Sequence, residues 1–266
     1  MPHETAAAQT RAPRGVHLRG RNHPALGEVV VEALSPAVAV GLTRGGRDKR
    51  YAYTDPNEDV VAAVAGERTT LVAVADGHNG RDASEAAVEV VLEMLGDPPP
   101  DGVADDELID LFVVANHAVQ RRTSRPDAVN TSSRTTLAVA IVTDRLVQWA
   151  SFGDSAVLVA SPRSGRQLNS PRPWFLGYPL VRSELGQLLD RGRYEPAPGE
   201  WIVLATDGFS DFAHPAHLAP AEIVSIALEG RGDATRITHL LIQQAIEGGA
   251  GDNVGVAVAA ARPPAR

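Results

Sequence analysis

Three short runs decide how this chain folds: Thr135-Thr136-Leu137-Ala138-Val139-Ala140-Ile141-Val142, Leu146-Val147-Gln148-Trp149-Ala150-Ser151-Phe152 and Ala156-Val157-Leu158-Val159-Ala160. Each is apolar, rich in β-branched residues and as short as a strand. Turn formers part them, Thr143-Asp144 after the first and Gly153-Asp154-Ser155 after the second. Connections this short join antiparallel strands, because a parallel return needs a crossover of about a dozen residues or more. The spacing therefore predicts an antiparallel meander.

Outward from that meander, strands and helices come in groups. Upstream, Val29–Val31, Ala37–Val40, Val60–Ala65 and Thr70–Ala75 read as strands, and Asp82–Leu95 reads as a helix. A loop rich in Pro and Asp, Asp97–Asp106, leads to a second helix over Asp106–Arg122, where Leu108, Leu111, Phe112, Ala115 and Val119 recur at helical spacing. Downstream, Ser161–Gly199 is proline-rich and shows no strand pattern. Trp201–Ala205 is a strand, Pro220–Leu228 and Asp233–Glu247 are helices, and Val254–Ala260 is a last strand. Helices segregated by runs of strands do not build the repeating units of a parallel sheet. The grouping predicts an α+β fold in which two antiparallel β-sheets pack as a sandwich flanked by pairs of α-helices. Residues 1–27 mix Ala, Arg, Pro, Gly and His without apolar periodicity and read as a disordered leader, which leaves 28–262 as a single domain.

Composition limits the chemistry. The chain has 266 residues, 44% of them hydrophobic and 22% charged, an ordinary globular balance. No window approaches the roughly 18 apolar residues of a membrane span, and the N-terminus has no signal-peptide core, so the reading is a cytoplasmic protein without a membrane partner. A formal charge of −8 gives no basic footprint for nucleic acid. With no cysteine, thiolate metal sites and a cysteine nucleophile are excluded, and any metal must be held by carboxylates, histidines or backbone oxygens.

The aspartates fall where such a site would need them. Thr70–Ala75 runs into Asp76-Gly77-His78, Trp201–Thr206 into Asp207-Gly208, and Gly251-Asp252-Asn253 opens the last strand, while Asn57-Glu58-Asp59 precedes Val60–Ala65. Taken singly, an Asp-Gly pair is a common turn. Four separated acidic stretches at the ends of apolar strands go further, since carboxylates gathered a few ångströms apart repel unless protonated or neutralised. An all-oxygen ligand set suits Mg²⁺ or Mn²⁺ rather than softer zinc. Gly77 allows close backbone approach, which makes its carbonyl a candidate ligand.

Asn57-Glu58-Asp59, Asp76-Gly77-His78-Asn79-Gly80, Thr135-Thr136-Leu137-Ala138, Phe152-Gly153-Asp154-Ser155, Ala205-Thr206-Asp207-Gly208-Phe209-Ser210-Asp211 and Gly251-Asp252-Asn253-Val254 resemble, in order, the motifs of the metal-dependent (type 2C, PPM) protein phosphatases. The resemblance runs from about Val38 to Ala260. It implies a β-sandwich with two Mg²⁺ or Mn²⁺ ions at one end, a third being left open, and a bridging water that attacks a phosphomonoester directly. Carried over position by position, Asp76 would bridge both ions, Gly77 would lend its carbonyl to one, Asp207 and Asp252 would hold the other, and Asp59 would bind directly or through water. Glu58 and Asn253 would support these ligands from behind. His78 would be the general acid to the leaving group. Asp154 reads as structural, because its counterpart is taken to lie in a hairpin away from the metals.

Two departures from the family pattern stand out. Thr54 occupies the place of the arginine that forks onto the substrate phosphate. Arg50 and Arg134 are the candidate replacements, while Arg44 and Arg47 read as solvated. The Ser161–Gly199 stretch lacks the small-residue motif that leads into the bacterial flap and instead carries Trp174, Phe175 and Tyr178 among prolines, either a lid or partner-binding loop or an anchored one. The reading is a serine/threonine protein phosphatase, with a phosphorylated small metabolite as the alternative substrate and a catalytically weak regulatory relative as the third reading.

Overall fold

Alternate residues of the central strands face opposite sides, and both sides are apolar. Along Thr70–Ala75, Leu71, Ala73 and Ala75 pack outward beneath helices while Val72 and Val74 pack inward against a second sheet. Trp201–Ala205 divides likewise, with Ile202 and Leu204 inward and Trp201, Val203 and Ala205 outward. Burial on both faces is why these strands read as continuous apolar runs rather than strict alternation.

In this computed structural model, residues 14–49, 53–212, 219–228 and 232–261 are described. The strands are β1 (Arg14–Arg19), β2 (Val30–Ser35), β3 (Val38–Thr43), β4 (Val60–Ala65), β5 (Thr70–Ala75), β6 (Gly77–His78), β7 (Arg134–Thr135), β8 (Leu137–Val142), β9 (Val147–Phe152), β10 (Ala156–Ser161), β11 (Ser164–Gln167), β12 (Asp190–Tyr194), β13 (Trp201–Ala205) and β14 (Val254–Ala260). The α-helices are α1 (Asp82–Leu95), α2 (Asp105–Thr123), α3 (Arg182–Leu188), α4 (Asp207–Phe212), α5 (Pro220–Leu228) and α6 (Ala234–Glu247). One six-stranded sheet has the order β1-β4-β5-β8-β9-β12 and the other β11-β10-β13-β14-β3-β2, every pairing being antiparallel. Helices α1 and α2 cover the first sheet, and α5 and α6 the second. The α+β sandwich expected from the sequence is the observed architecture.

The disordered leader is corrected for the part described: Arg14–Arg19 is an edge strand paired with β4, with Val16 and Leu18 buried between the sheets, and residues 1–13 lie outside the described residues. The alternation Val16, Leu18 was present in the sequence but hidden among arginines. The proline-rich stretch likewise contains β11, α3 and β12. Ser164–Gln167 and Asp190–Tyr194 are polar edge strands, so they carry no apolar run. Gly192 lies flat on Trp149, where a Cβ would meet the indole at 3.0 Å.

Candidate metal centre

Antiparallel register brings the aspartates to one end of the sandwich. Val60 pairs with Ala75, so Asp59, just before β4, and Asp76, just after β5, leave adjacent strands at the same edge. In the second sheet Ala205 pairs with Val256, which sets Asp207, beyond β13, beside Asp252, ahead of β14. The Gly153-Asp154-Ser155 connection crosses from β9 to β10 at that same end, because Leu137 pairs with Phe152 and Ala156 with Ala205. Carboxylate oxygens of Asp76, Asp154 and Asp207 all lie within 4.8 Å of one another. The structural reading of Asp154 is thus corrected: the turn that holds it faces the cluster.

A web of hydrogen bonds fixes this geometry. Asp76 N–H donates to Thr136 Oγ1 (3.1 Å), while Thr136 N–H (3.0 Å) and Thr135 Oγ1 (2.8 Å) donate to the Asp76 carbonyl, which explains the paired threonines. Thr206 Oγ1 donates to Asp59 Oδ2 at 2.9 Å and accepts from Gly255 N–H at 2.8 Å, linking the two sheets. Glu58 Oε1 accepts from the N–H groups of Thr54, Asp55 and Gly80, so this side chain organises the surrounding loops. Asn253 accepts from Glu58 N–H and donates to the carbonyls of Arg44 and Pro56. Gly77 is required: a Cβ there would come within 2.4 Å of the Glu58 carbonyl oxygen. Asn79 has φ of 61°, the left-handed geometry asparagine tolerates.

Electrostatically the cluster is unbalanced. Asp59 Oδ1, Asp76 Oδ2, Asp154 Oδ1 and Asp207 Oδ1 are buried without a hydrogen-bond partner. Burial first, then the Asp76 charge, pushes the carboxyls of Asp59, Asp207 and Asp154 above the usual range. Burial also pushes Asp76 upward, but His78 and Lys49 outweigh it and hold that carboxyl below the usual range. Buried acceptors without donors are what a hard divalent cation satisfies, so the residues present fit Mg²⁺ or Mn²⁺.

His78 borders the cluster, its Nδ1 3.4 Å from Asp76 Oδ1 without hydrogen-bond alignment. Burial lowers its pKa, yet the Asp76 carboxylate more than compensates, so the imidazole titrates above its ordinary value. Its ring packs on Phe175 with centroids 4.5 Å apart. Phe175 comes from the proline-rich stretch, where Leu176 is fully buried and hydrogen-bonded to Thr135, while Trp174 and Tyr178 are exposed. The stretch is therefore anchored at Leu176 and Phe175 and open at Trp174 and Tyr178.

The candidate phosphate-binding arginines fare unevenly. Arg134 stands across from His78 in the β6–β7 pair, but its guanidinium donates to the carbonyls of Thr131 and Ser133 and stacks over Tyr178. Arg50 lies outside the described residues. Arg44 is not solvated as expected: it donates to the Pro24 carbonyl, Asp48 and Tyr53. A cation that sequence reasoning missed is Lys49, whose Nζ lies 2.8 Å from Asp252 Oδ1. Its signal was compositional: of 25 lysines and arginines, it is the single lysine.

An oxygen-only cluster of this kind, at one end of a helix-flanked double sheet, can neutralise and hold divalent ions, which defines the site as a candidate centre for metal-dependent chemistry. The sequence profile of the protein phosphatase 2C family matches residues 48–231, and the chain belongs to that family of metal-dependent serine/threonine protein phosphatases. No curated protein matches the chain in sequence. Among solved structures, a bacterial serine phosphatase superposes with a TM-score of 0.68 at 16% identity, covering 90% of this chain and 99% of that chain. The catalytic domain of the serine/threonine phosphatase PstP, in complex with two manganese ions, gives 0.64 at 23% identity over 87% of this chain and 98% of that one. The Mycobacterium tuberculosis phosphatase PstP/Ppp gives 0.62 at 20% identity, with coverage of 95% and 100%. These structures share the fold. No helix among the described residues is long and apolar enough to cross a membrane.

Proposed function

We propose that the protein hydrolyses phosphoserine or phosphothreonine in a protein substrate at the carboxylate end of the sandwich, using two Mg²⁺ or Mn²⁺ ions. The observation that supports this most is the convergence of Asp59 and Asp76 from one sheet with Asp207 and Asp252 from the other, several of their oxygens buried and unpartnered. Bound divalent ions supply an activated water and neutralise the phosphoryl oxygens. Asp76, Asp207, Asp252, Asp59 and the Gly77 carbonyl would hold them, and Asp154, with carboxylate oxygens within 4.8 Å of those of Asp76 and Asp207, would be a further ligand.

The protein's own groups do the rest. His78, whose imidazole borders the Asp76 carboxylate, is placed to give a proton to the departing serine or threonine oxygen. Thr135 and Thr136 lock the Asp76 backbone, and Glu58 and Asn253 hold the loops around the site. The open aromatics Trp174 and Tyr178 stand on the segment that packs against His78, which suits contact with a substrate protein.

The test is a rate comparison with Mn²⁺ between a phosphothreonine peptide, p-nitrophenyl phosphate and a panel of phosphorylated metabolites. Metal-dependent turnover of the peptide above every metabolite is expected. A metabolite turned over faster would replace the protein substrate, and inertness towards all would favour a regulatory role.

A further inference from the structure

Lys49 is out of place for a lysine. Its side chain is only 4% exposed, and its ammonium sits 2.8 Å from Asp252 Oδ1 and 3.7 Å from Glu58 Oε2. It also stands 5.9 Å from the centre of the Tyr53 ring. Described residues to either side of it are tied down, Arg44 to Asp48 at 2.6 Å and Asn253 to the Arg44 and Pro56 carbonyls. A chain that meets nearly all its cationic needs with arginine thus buries its single lysine against the carboxylates.

An ammonium relieves like-charge repulsion among carboxylates, and for the same reason it repels a divalent ion brought to them. It is also a compact point charge on a flexible stem, able to swing away as a bidentate guanidinium fork would not. We propose that Lys49 is a built-in competitor for the divalent ion on the Asp252 side of the centre: ammonium and ion are alternative occupants, and an ion binds there by driving Nζ off Asp252. The competition sets the metal concentration at which the centre fills. In metal-poor solution the lysine stays paired with Asp252. The proposal rests on the metal-centre reading above.

Two measurements on the full chain test it. In calorimetric Mn²⁺ titrations, Lys49→Met should bind its weaker ion at least about tenfold more tightly than the unaltered protein, the scale of removing one cation a few ångströms from the ion in a partly shielded site. In the unaltered protein, an amine-reactive reagent followed by peptide mass spectrometry should find Lys49 protected in EDTA and labelled several-fold faster with saturating Mn²⁺. Equal or weaker Mn²⁺ binding by Lys49→Met would make the lysine a positioning group for Asp252 and overturn the proposal. So would a lysine that stays protected when Mn²⁺ saturates. The labelling arm stands even if the variant does not fold. An unaltered protein that binds no Mn²⁺ would overturn the metal-centre reading, and this proposal with it.

Discussion

The two ends of the same sandwich treat charge in opposite ways. Where β4 turns into β5 and β8 into β9, Arg68 pairs with Asp101 at 2.7 Å in open water, Thr69 Oγ1 donates to the same carboxylate, and Thr143 Oγ1 closes the turn to Leu146. Arg68, Asp101, Thr143 and Leu146, with Asp144 and Arg145, line a shallow cavity of about 540 Å³ with no cluster of buried acids. At the other end Asp59, Asp76, Asp154 and Asp207 are crowded together with oxygens that have no donor. Exposed, paired charges contribute little to stability and little to chemistry. Crowded, buried carboxylates weaken the metal-free fold and gain their purpose from a cation.

The largest effect that could break this contrast is Asp207→Ala. Turnover should fall by about 10²–10³ or more, as when a principal electrostatic contributor to a transition state is removed. In EDTA, however, the variant should melt higher than the unaltered protein, since one repelling carboxylate is gone; a lower melting temperature would mean that the acidic end is not strained. His78→Ala should slow alkyl phosphates by about 10²–10⁴ and p-nitrophenyl phosphate much less, because only the poor leaving group needs the proton. Equal slowing of both substrates would remove the general-acid role.

Asn253 holds the acidic end from behind. Asn253→Ala strips hydrogen bonds from Glu58 N–H and from the Arg44 and Pro56 carbonyls, and should cost about 1–3 kcal/mol in chemical denaturation. A cost near zero would detach those loops from the account.

Thermal melts against pH sharpen the comparison further. With folded-state pKa values raised, Asp59 and Asp207 favour the fold while protonated, and that contribution is lost as pH rises through those raised values. Asp76, lowered, acts in the opposite sense only in the acid range below the usual carboxylate value. His17, whose burial lowers its pKa to about 4, works the other way over the same range, so the cluster's part is read against Asp207→Ala: in EDTA the unaltered protein should gain more in melting temperature from pH 8 to pH 5 than the variant does. Saturating Mn²⁺, which requires deprotonated ligands, should remove or reverse that trend. The smallest effect belongs to the far end, where Asp101→Ala should leave turnover and metal affinity unchanged.

What the sequence disclosed follows the same physics. Strands buried on both faces announce themselves as apolar runs, so β5, β13 and β14 were bounded correctly from composition alone. Edge strands β1, β11 and β12 carry arginine, serine and glycine because one margin meets water, so they show no apolar run in the sequence. Asp59, Asp76, Asp207 and Asp252 were legible because each abuts a strand end, and antiparallel pairing converts strand ends into neighbours. The same arithmetic applied to Phe152 and Ala156 places Asp154 with them, against the family resemblance, which is taken to put its counterpart in a hairpin away from the metals. Lys49 sits in a loop with no periodic pattern, and only the fold brings that loop onto Asp252.

The central claim is that the buried carboxylates hold divalent ions for phosphoester hydrolysis. It is tested most directly by initial rates on p-nitrophenyl phosphate in EDTA, Mg²⁺ and Mn²⁺, with Asp207→Ala prepared alongside. The account predicts turnover that appears with a divalent ion, vanishes in EDTA and is nearly lost in the variant. Turnover that persists in EDTA, or that Asp207→Ala leaves intact, would contradict it.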